Sequence, residues 1–321
     1  MLAALLVIPL GLLSVLVVAR LGGKHPDKGL LRISREVLGR PLAWALGGLF
    51  SWFFLHFTAL LLRDFGELFV MAVMPETPLL AFEAIALALA VMAASGGLEV
   101  IARSAEFLFP IIVAAFLAVF LGNVGDLRLN ELFPLLSRGL RPVLSGVLTH
   151  WPWFGEAVVF AFLAPYFNRA NRCYRSLALA VLAGGLALVL ATASVLAVFG
   201  PDLVALLRYP YFRLASLIMI GAFRGAETVF LILWFAVNYL KISLFFLVAA
   251  LTVQDWLGLG DYRPILFPLA ALVLPLSLYL FSSYDELMAF ARPTIFAPYA
   301  LSVEGGLPLL LLLASARRRN R

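Results

Sequence analysis

The chain has 321 residues, of which 64% are hydrophobic and 13% are charged, and its net charge is +6. Soluble domains average about 25% charged residues, so this composition and a mean hydropathy of +1.03 exclude a soluble globular protein and predict a membrane protein. The arginines cluster at the ends of apolar segments rather than along one surface, which gives no support for nucleic-acid binding.

Nine segments are apolar and long enough to cross a bilayer as helices, which takes roughly 20 residues each. Residues 27–40 and 127–141 are shorter and amphipathic, so they are predicted to lie at the interface. Residues 203–221 are interrupted by Arg208, Pro210 and Arg213, and we expect a long loop with a surface helix there. The predicted spans cover about 2–20, 41–62, 78–97, 105–122, 142–167, 176–199, 226–253, 264–282 and 294–314.

Loop charges predict the orientation of these spans. Basic residues concentrate in residues 20–40, 169–175 and 317–321, and nine spans put all three on one side. The positive-inside rule makes that side, with the C-terminus, cytoplasmic. Met1 then lies outside, directly before a hydrophobic helix with nothing to carry it across. Two explanations stay open: a nine-span protein with a translocated short terminus, or a start that lies further upstream.

Residues 142–167 form the most unusual of the predicted spans. Proline removes a backbone donor and glycine tolerates irregular geometry, so Pro152 and Gly155 predict a break in this helix. Irregular backbone at membrane depth persists only where protein or a water-filled cavity satisfies it. Glu156 beside the break is therefore a candidate ligand or proton site, although an acid that caps a half-helix is the alternative.

Two further groups of residues are candidates for the same ligand site. Trp153 and Phe154 could form an aromatic wall over an amine, or serve only in packing. Lys241 lies midway along the predicted span 226–253 and shares a face with Asn238. A mid-bilayer lysine needs a partner, so it is expected to pair with an acid such as Glu156.

Other charges are expected to be more ordinary. Glu99 and Arg103 stand four residues apart in a predicted cytoplasmic linker, as a local ion pair or a possible gate. Asp64 and Glu67 follow Arg63 at a predicted helix end, where solvated charges are common and an outer vestibule is the alternative. No nucleophile–base pairing, metal-ligand spacing or phosphate loop stands out, so neither an enzyme nor a metal or cofactor is expected.

A family resemblance runs in order through residues 21–282. The sequence is similar to the spore germination permeases, the B subunits of GerA-type germinant receptors, within the amino acid–polyamine–organocation superfamily. No single stretch of sequence is diagnostic of the family, but the order in which the matching stretches occur is fairly specific. The stretches that carry it are LGGKHPDKGLLRISREVLGRPLAWALGGLF, LLRDFGELF, MPETPLL, GGLEVIARSAEFLFPI, NELFPLL, WFGEAVVF and VFGPDLVALLRYPYF.

The resemblance implies a LeuT-like fold of ten spans in two inverted five-span repeats. On that map the chain is one all-α polytopic membrane domain that lacks the family's first span. Residues 1–122 are an incomplete first repeat, 142–282 most of the second, and 294–321 the last span with a basic tail. Residues 142–167 then correspond to one of two broken helices that hold substrate near the bilayer midplane.

The resemblance also implies a function. The leading hypothesis is a germinant-receptor subunit of the spore inner membrane that binds a small nutrient, an amino acid, and signals to a larger A-type subunit and a lipoprotein C-type subunit. In this fold the ammonium of Lys241 could also take the place of the sodium ion of sodium-coupled relatives. The alternatives are a proton-coupled amino acid permease and a scaffold subunit that binds no ligand. The expected ligand contacts are Trp153, Phe154, Gly155, Glu156, Asn238 and Lys241.

Overall fold

The computed structural model describes residues 1–25, 28–136, 139–167, 169–220, 223–224 and 227–319. Asp27 of the first basic loop and Asn320 and Arg321 of the basic tail lie outside these residues. Apart from an antiparallel pair of two-residue strands, β1 (Met219–Ile220) and β2 (Phe223–Arg224), the described chain is helical. The α-helices are α1 (Leu2–Lys24), α2 (Leu30–Leu38), α3 (Arg40–Ala72), α4 (Leu79–Gly96), α5 (Leu98–Gly122), α6 (Arg141–Gly155), α7 (Val159–Phe162), α8 (Ala170–Val204), α9 (Pro210–Ser216), α10 (Glu227–Leu257), α11 (Leu266–Tyr279), α12 (Tyr284–Phe290), α13 (Phe296–Leu301) and α14 (Leu307–Arg319).

Helices long and apolar enough to cross a membrane account for most of the predicted spans. Within the described residues there are seven of them, and an eighth if the bent pair Arg263–Tyr279 and Tyr284–Phe290, which meet at 100°, counts as one span. These eight overlap eight of the nine predicted segments, and several are longer than predicted. Residues 142–167 do not form such a helix because they are divided into short helical pieces. The seven helices are Leu2–Lys24, Arg40–Ala72, Leu79–Gly96, Leu98–Asp126, Arg172–Val204, Glu227–Leu257 and Phe296–Ala316.

The hydrophobic core lies between α3 and α10. Phenylalanines follow one another at helical spacing along α3, and four of them are fully or almost fully buried: Phe50, Phe53, Phe54 and Phe57. The ring of Phe245 on α10 stacks on that of Phe57, with centroids 4.9 Å apart. Each aromatic ring buries a large apolar area, so these packed phenylalanines hold α10 against α3. They therefore also determine where Lys241 of α10 lies relative to α3.

The first helix packs closely against α6 and α8 through glycines. A Cβ atom at Gly11 on α1 would lie 2.8 Å from a ring carbon of Phe154, and one at Gly185 on α8 would lie 2.4 Å from Ile8. Small residues at helix contacts are typical of membrane proteins, where close backbone approach supplies the packing energy. These contacts hold α1 along the flank of the broken segment.

The charges near the end of α3 correct an expectation. The side chains of Arg63 and Glu67 are only 7% and 10% exposed and form an ion pair of 2.8 Å, so they are not solvated as predicted. The guanidinium also donates to the carbonyl of Leu278 on α11 at 3.2 Å. The helix is longer than the expected 41–62 and continues to Ala72, so α4 and α11 cover these charges.

Residues 203–221 form no span in their described part. A short helix, α9, begins at Pro210 and ends at Ser216, and its Phe212, Leu214 and Ala215 are buried. Seven residues rise only about 10 Å as a helix, which is far less than the bilayer core. The expectation that this stretch is not a span is therefore confirmed for its described part, but its short helix packs into the protein with three buried residues and does not lie free on the surface.

Candidate functional site

The segment 142–167, called the broken segment, is a run of short helical pieces. Its backbone keeps helical φ and ψ at Gly155, Glu156, Val158 and Val159, so the break is a change of helical type and not an unwound stretch. Helix α6 ends at Gly155, a 3₁₀ turn covers Glu156–Val158, and α7 adds one further turn at Val159–Phe162. Pro152 lies inside the last turn of α6 and cannot donate to the carbonyl of Leu148, which weakens the helix before it ends. The change of helical type therefore falls at Gly155 and Glu156, three residues after the proline.

An ion pair lies at the break. The ammonium nitrogen of Lys241, from the middle of α10, is 2.8 Å from a carboxylate oxygen of Glu156. Both side chains are largely buried, with exposures of 24% and 14%. Of the two arrangements expected for Lys241, the ion pair with Glu156 is the one present. Each charge satisfies the other at a depth where an isolated ion would cost several kcal/mol.

Aromatic rings flank this pair. The Lys241 nitrogen lies 4.4 Å from the centroid of the Trp153 ring and 5.9 Å from that of Phe57. Attraction between an ammonium and a ring face is strongest for tryptophan and grows when water is excluded. Trp153 thus fixes the position of the ammonium, while Phe154 contacts Gly11 on α1 and lines the same groove as Glu156 and Lys241.

A groove opens beside the pair. It has a volume of about 900 Å³ and lies between α5, α6, α8 and α10. Glu156, Lys241 and His150 are polar members of its wall, and the rest is almost entirely apolar. A pocket of this size with few polar groups is typical of a site for a small molecule that has one charged end and an apolar remainder.

Glu304 was not predicted from the sequence as a residue of the candidate site. It lies in a π-helical turn, Ser302–Gly306, between α13 and α14, and its side chain is 2% exposed. A Cβ atom at Gly155 would lie 2.3 Å from one of its carboxylate oxygens, so the carboxylate packs directly on the break. A lone acid inside the predicted span 294–314 was the signal that could have identified it.

A second set of buried charges lies on the far side of Trp153. A small cavity of about 80 Å³ is lined by Trp153, Phe57 and Asp64 among others. Further along, the buried Glu83 accepts a hydrogen bond of 2.6 Å from the hydroxyl of Ser277. Asp64 therefore faces the same aromatic residues as the ion pair, which the expectation of ordinary solvated charges did not foresee.

Three of the expected site residues do not join the ion pair. The amide of Asn238 donates to the carbonyl of Trp234 at 2.9 Å, within its own helix. Glu99 and Arg103 form a pair of 2.6 Å that is about three-quarters exposed. Solvent screens such a pair, and it contributes little to stability. Whether it acts as a gate stays a prediction.

The described residues were also searched for clusters of metal-ligating side chains. Across the described residues, no group of three or more histidine, cysteine, aspartate or glutamate side chains is arranged to hold a metal ion. His150, the histidine nearest the break, is held by a 2.7 Å contact between its Nδ1 and the carbonyl of Gly146. The chemistry available at the break is therefore that of a buried ion pair, a neighbouring carboxyl group and an aromatic surface.

Comparison with known proteins gives a consistent result. Residues 2–285 match a family model described as "Spore germination protein". Spore germination protein KB of Bacillus subtilis (strain 168) is 25% identical over 305 residues, which cover 92% of this chain and 81% of that protein. Spore germination protein YndE of the same organism is 24% identical over 315 residues, 97% of this chain and 85% of that protein. The putative spore germination protein YfkT is 29% identical over 230 residues, 70% and 62% of the two chains.

Proposed function

The chain belongs to the spore germination protein family, and on that premise we propose that it is a germinant-receptor subunit that binds a small nutrient at the broken segment 142–167. The observation that carries the proposal is the buried ion pair of Glu156 and Lys241 beside an apolar groove. A buried pair is weak evidence for stability, because apolar residues of similar size serve that purpose as well or better. Its position at a helix break favours ligand binding.

An amino acid suits this pair because it carries both charges. Its ammonium would bind Glu156, its carboxylate would bind Lys241, and its side chain would enter the groove. The exchange leaves neither protein charge buried without a partner, so the desolvation cost of opening the pair is largely recovered. Trp153 would contact the ligand from the position where it now contacts Lys241.

Signalling would follow from a change in the broken segment. A ligand shifts a conformational equilibrium only by its differential affinity for the two states. Opening the pair separates α10 from the 3₁₀ turn, so the bound state would hold α6 and α7 differently against the α3–α10 core. We propose that this change is detected by the A-type and C-type subunits that the family resemblance implies. The complex would lie in the inner membrane of the spore.

The proposal includes a LeuT-like arrangement with a cytoplasmic C-terminus. The break at Gly155 and the bend between α11 and α12 support it, since discontinuous helices are typical of that fold. Cys173, the sole cysteine, follows the broken segment on the predicted cytoplasmic side. A membrane-impermeant maleimide should label it only after the cells are permeabilised, and labelling of intact cells would contradict the orientation.

A proton-coupled permease is the second candidate, because a charged pair at a helix break beside a groove also suits transport. Purified protein in liposomes, given a mixture of labelled common L-amino acids, separates the two. We expect saturable binding without accumulation inside the liposomes. Accumulation without partner subunits would establish the permease. Absence of both binding and flux would favour a scaffold and contradict the proposed ligand site.

A further inference from the structure

Glu304 is a buried carboxyl group without a hydrogen-bond donor. Its side chain is 2% exposed, and neither carboxylate oxygen has a hydrogen-bond partner among the described residues. Buried polar groups in proteins are almost always paired, and each exception calls for an explanation. Leaving an ionised carboxylate in this state would cost several kcal/mol.

The close contact with Gly155 aims this carboxyl group at the helix break. One of its oxygens lies 2.3 Å from where a Cβ atom at position 155 would be, and its own Cβ and Cδ lie 3.2 Å from that point. A larger residue there would force the carboxylate end of Glu304 to move away. The π-helical turn Ser302–Gly306 presents the side chain on this face, and such turns occur frequently at functional sites.

Glu304, Glu156 and Lys241 bring two carboxyl groups and one ammonium to the helix break. Glu156 and Lys241 are the charged groups that act on Glu304 most strongly, one with the same sign and one with the opposite sign. Tyr299 on α13 also acts on Glu304 electrostatically, and its hydroxyl lies 2.9 Å from Nδ1 of His56. Helix α1 brings no ionisable side chain between Leu2 and Ala19.

A single ammonium cannot neutralise both carboxyl groups. Lys241 already lies 2.8 Å from Glu156, so an ionised Glu304 would remain uncompensated beside a like charge. Where two neighbouring carboxyl groups share one cation, one of them stays protonated and therefore neutral. The flexible lysine stem would allow Lys241 to turn toward Glu304 once that proton leaves.

We propose that Glu304 is a proton-binding site at the helix break, protonated while Lys241 is paired with Glu156 and ionised when Lys241 turns to Glu304 instead. The O–H bond of the Glu304 carboxyl group breaks, and the carboxylate that forms gains the ammonium as its partner. Glu156, released from Lys241, takes up the proton, so each state has one proton and one ammonium for the two carboxyl groups. This site belongs to the resting protein and does not depend on whether an amino acid binds.

Infrared spectroscopy of the purified full chain tests the proposal without any nutrient. We expect a protonated-carboxyl C=O band at neutral pH that is absent from Glu304→Gln and shifted but retained in Glu304→Asp. Glu83→Gln, which removes a different buried carboxyl group, should leave that band in place. The aspartate variant keeps the test valid if the glutamine variant does not fold.

Two results would overturn the proposal. Equal band intensity in wild type and Glu304→Gln would show that Glu304 is ionised at neutral pH. A band that appears in choline chloride but disappears in sodium chloride would show that a metal cation, not a proton, neutralises the group. A failure of amino acid binding would leave the band unchanged, so this experiment and the test of the proposed function fail independently.

Discussion

At the scale of single residues, the account depends on how Glu156 and Lys241 compensate each other. Their charges are 2.8 Å apart and mostly removed from solvent. Removing one member of a buried ion pair typically costs about 3–5 kcal/mol, while replacing both by neutral groups of similar size is often tolerated. The two residues should therefore behave as one unit in mutational tests.

A double-mutant cycle measures that coupling. Lys241→Met should lower the free energy of unfolding by about 3–5 kcal/mol, because Glu156 is left buried without its cation. Adding Glu156→Gln should restore much of that loss, which thermal unfolding of the detergent-purified protein would show as a recovered midpoint. If the two substitutions lower stability additively, the ion pair does not exist in the folded protein.

The sequence predicted part of this site and missed the rest for physical reasons. Glu156 and Lys241 each interrupt an apolar segment, so both were recognisable as functional candidates. The partnership of Gly155 with Glu304 depends on a π-helical turn and a contact between elements far apart in sequence. Nothing in local periodicity predicts either feature, although the lone acid itself was visible in the sequence.

At the scale of secondary-structure elements, the close packing of α1 against α8 holds the flank of the broken segment. Gly185→Ala would bring a Cβ atom within 2.4 Å of the Ile8 side chain. Overpacking costs about 1–3 kcal/mol. The gain in helix propensity is at most about 1 kcal/mol, so the clash should prevail. We expect a lower thermal midpoint for this variant.

The neighbouring glycine supplies a matched control. Gly184 lies on the same helix with no atom within 4 Å of its would-be Cβ, so Gly184→Ala should keep or raise stability. Equal midpoints for the two alanine variants would mean that α1 does not approach α8 as described.

Helix existence was more predictable than helix geometry. Hydrophobic length alone located the long helices, including α3 and α10, because span length is dictated by the bilayer. The burial of Arg63 and Glu67 near the end of α3 was not predicted, since they resemble a solvated helix end until α4 and α11 cover them. The 100° bend between α11 and α12 could not be predicted from the length and hydropathy of the segment.

At the scale of the whole molecule, the ion pair, the groove and the α3–α10 core form one arrangement. The core fixes Lys241, the broken segment supplies Glu156, and α5 and α8 enclose the space beside them. A ligand that opens the pair would act on the junction between the rigid core and the short helical pieces. That junction is where we expect binding to be converted into a signal.

The germination response of spores that carry Glu156→Gln tests this central claim most directly. A charged hydrogen bond to a ligand is worth about 1.5–3 kcal/mol, so this variant should need about tenfold or more of an amino acid mixture to respond. Glu76→Gln, an exposed loop acid, is the matched control and should respond as wild type does. Responses are compared at protein levels measured by immunoblot, because loss of one member of the ion pair also lowers stability. A wild-type response from Glu156→Gln spores would contradict the assignment of the ligand site to the helix break.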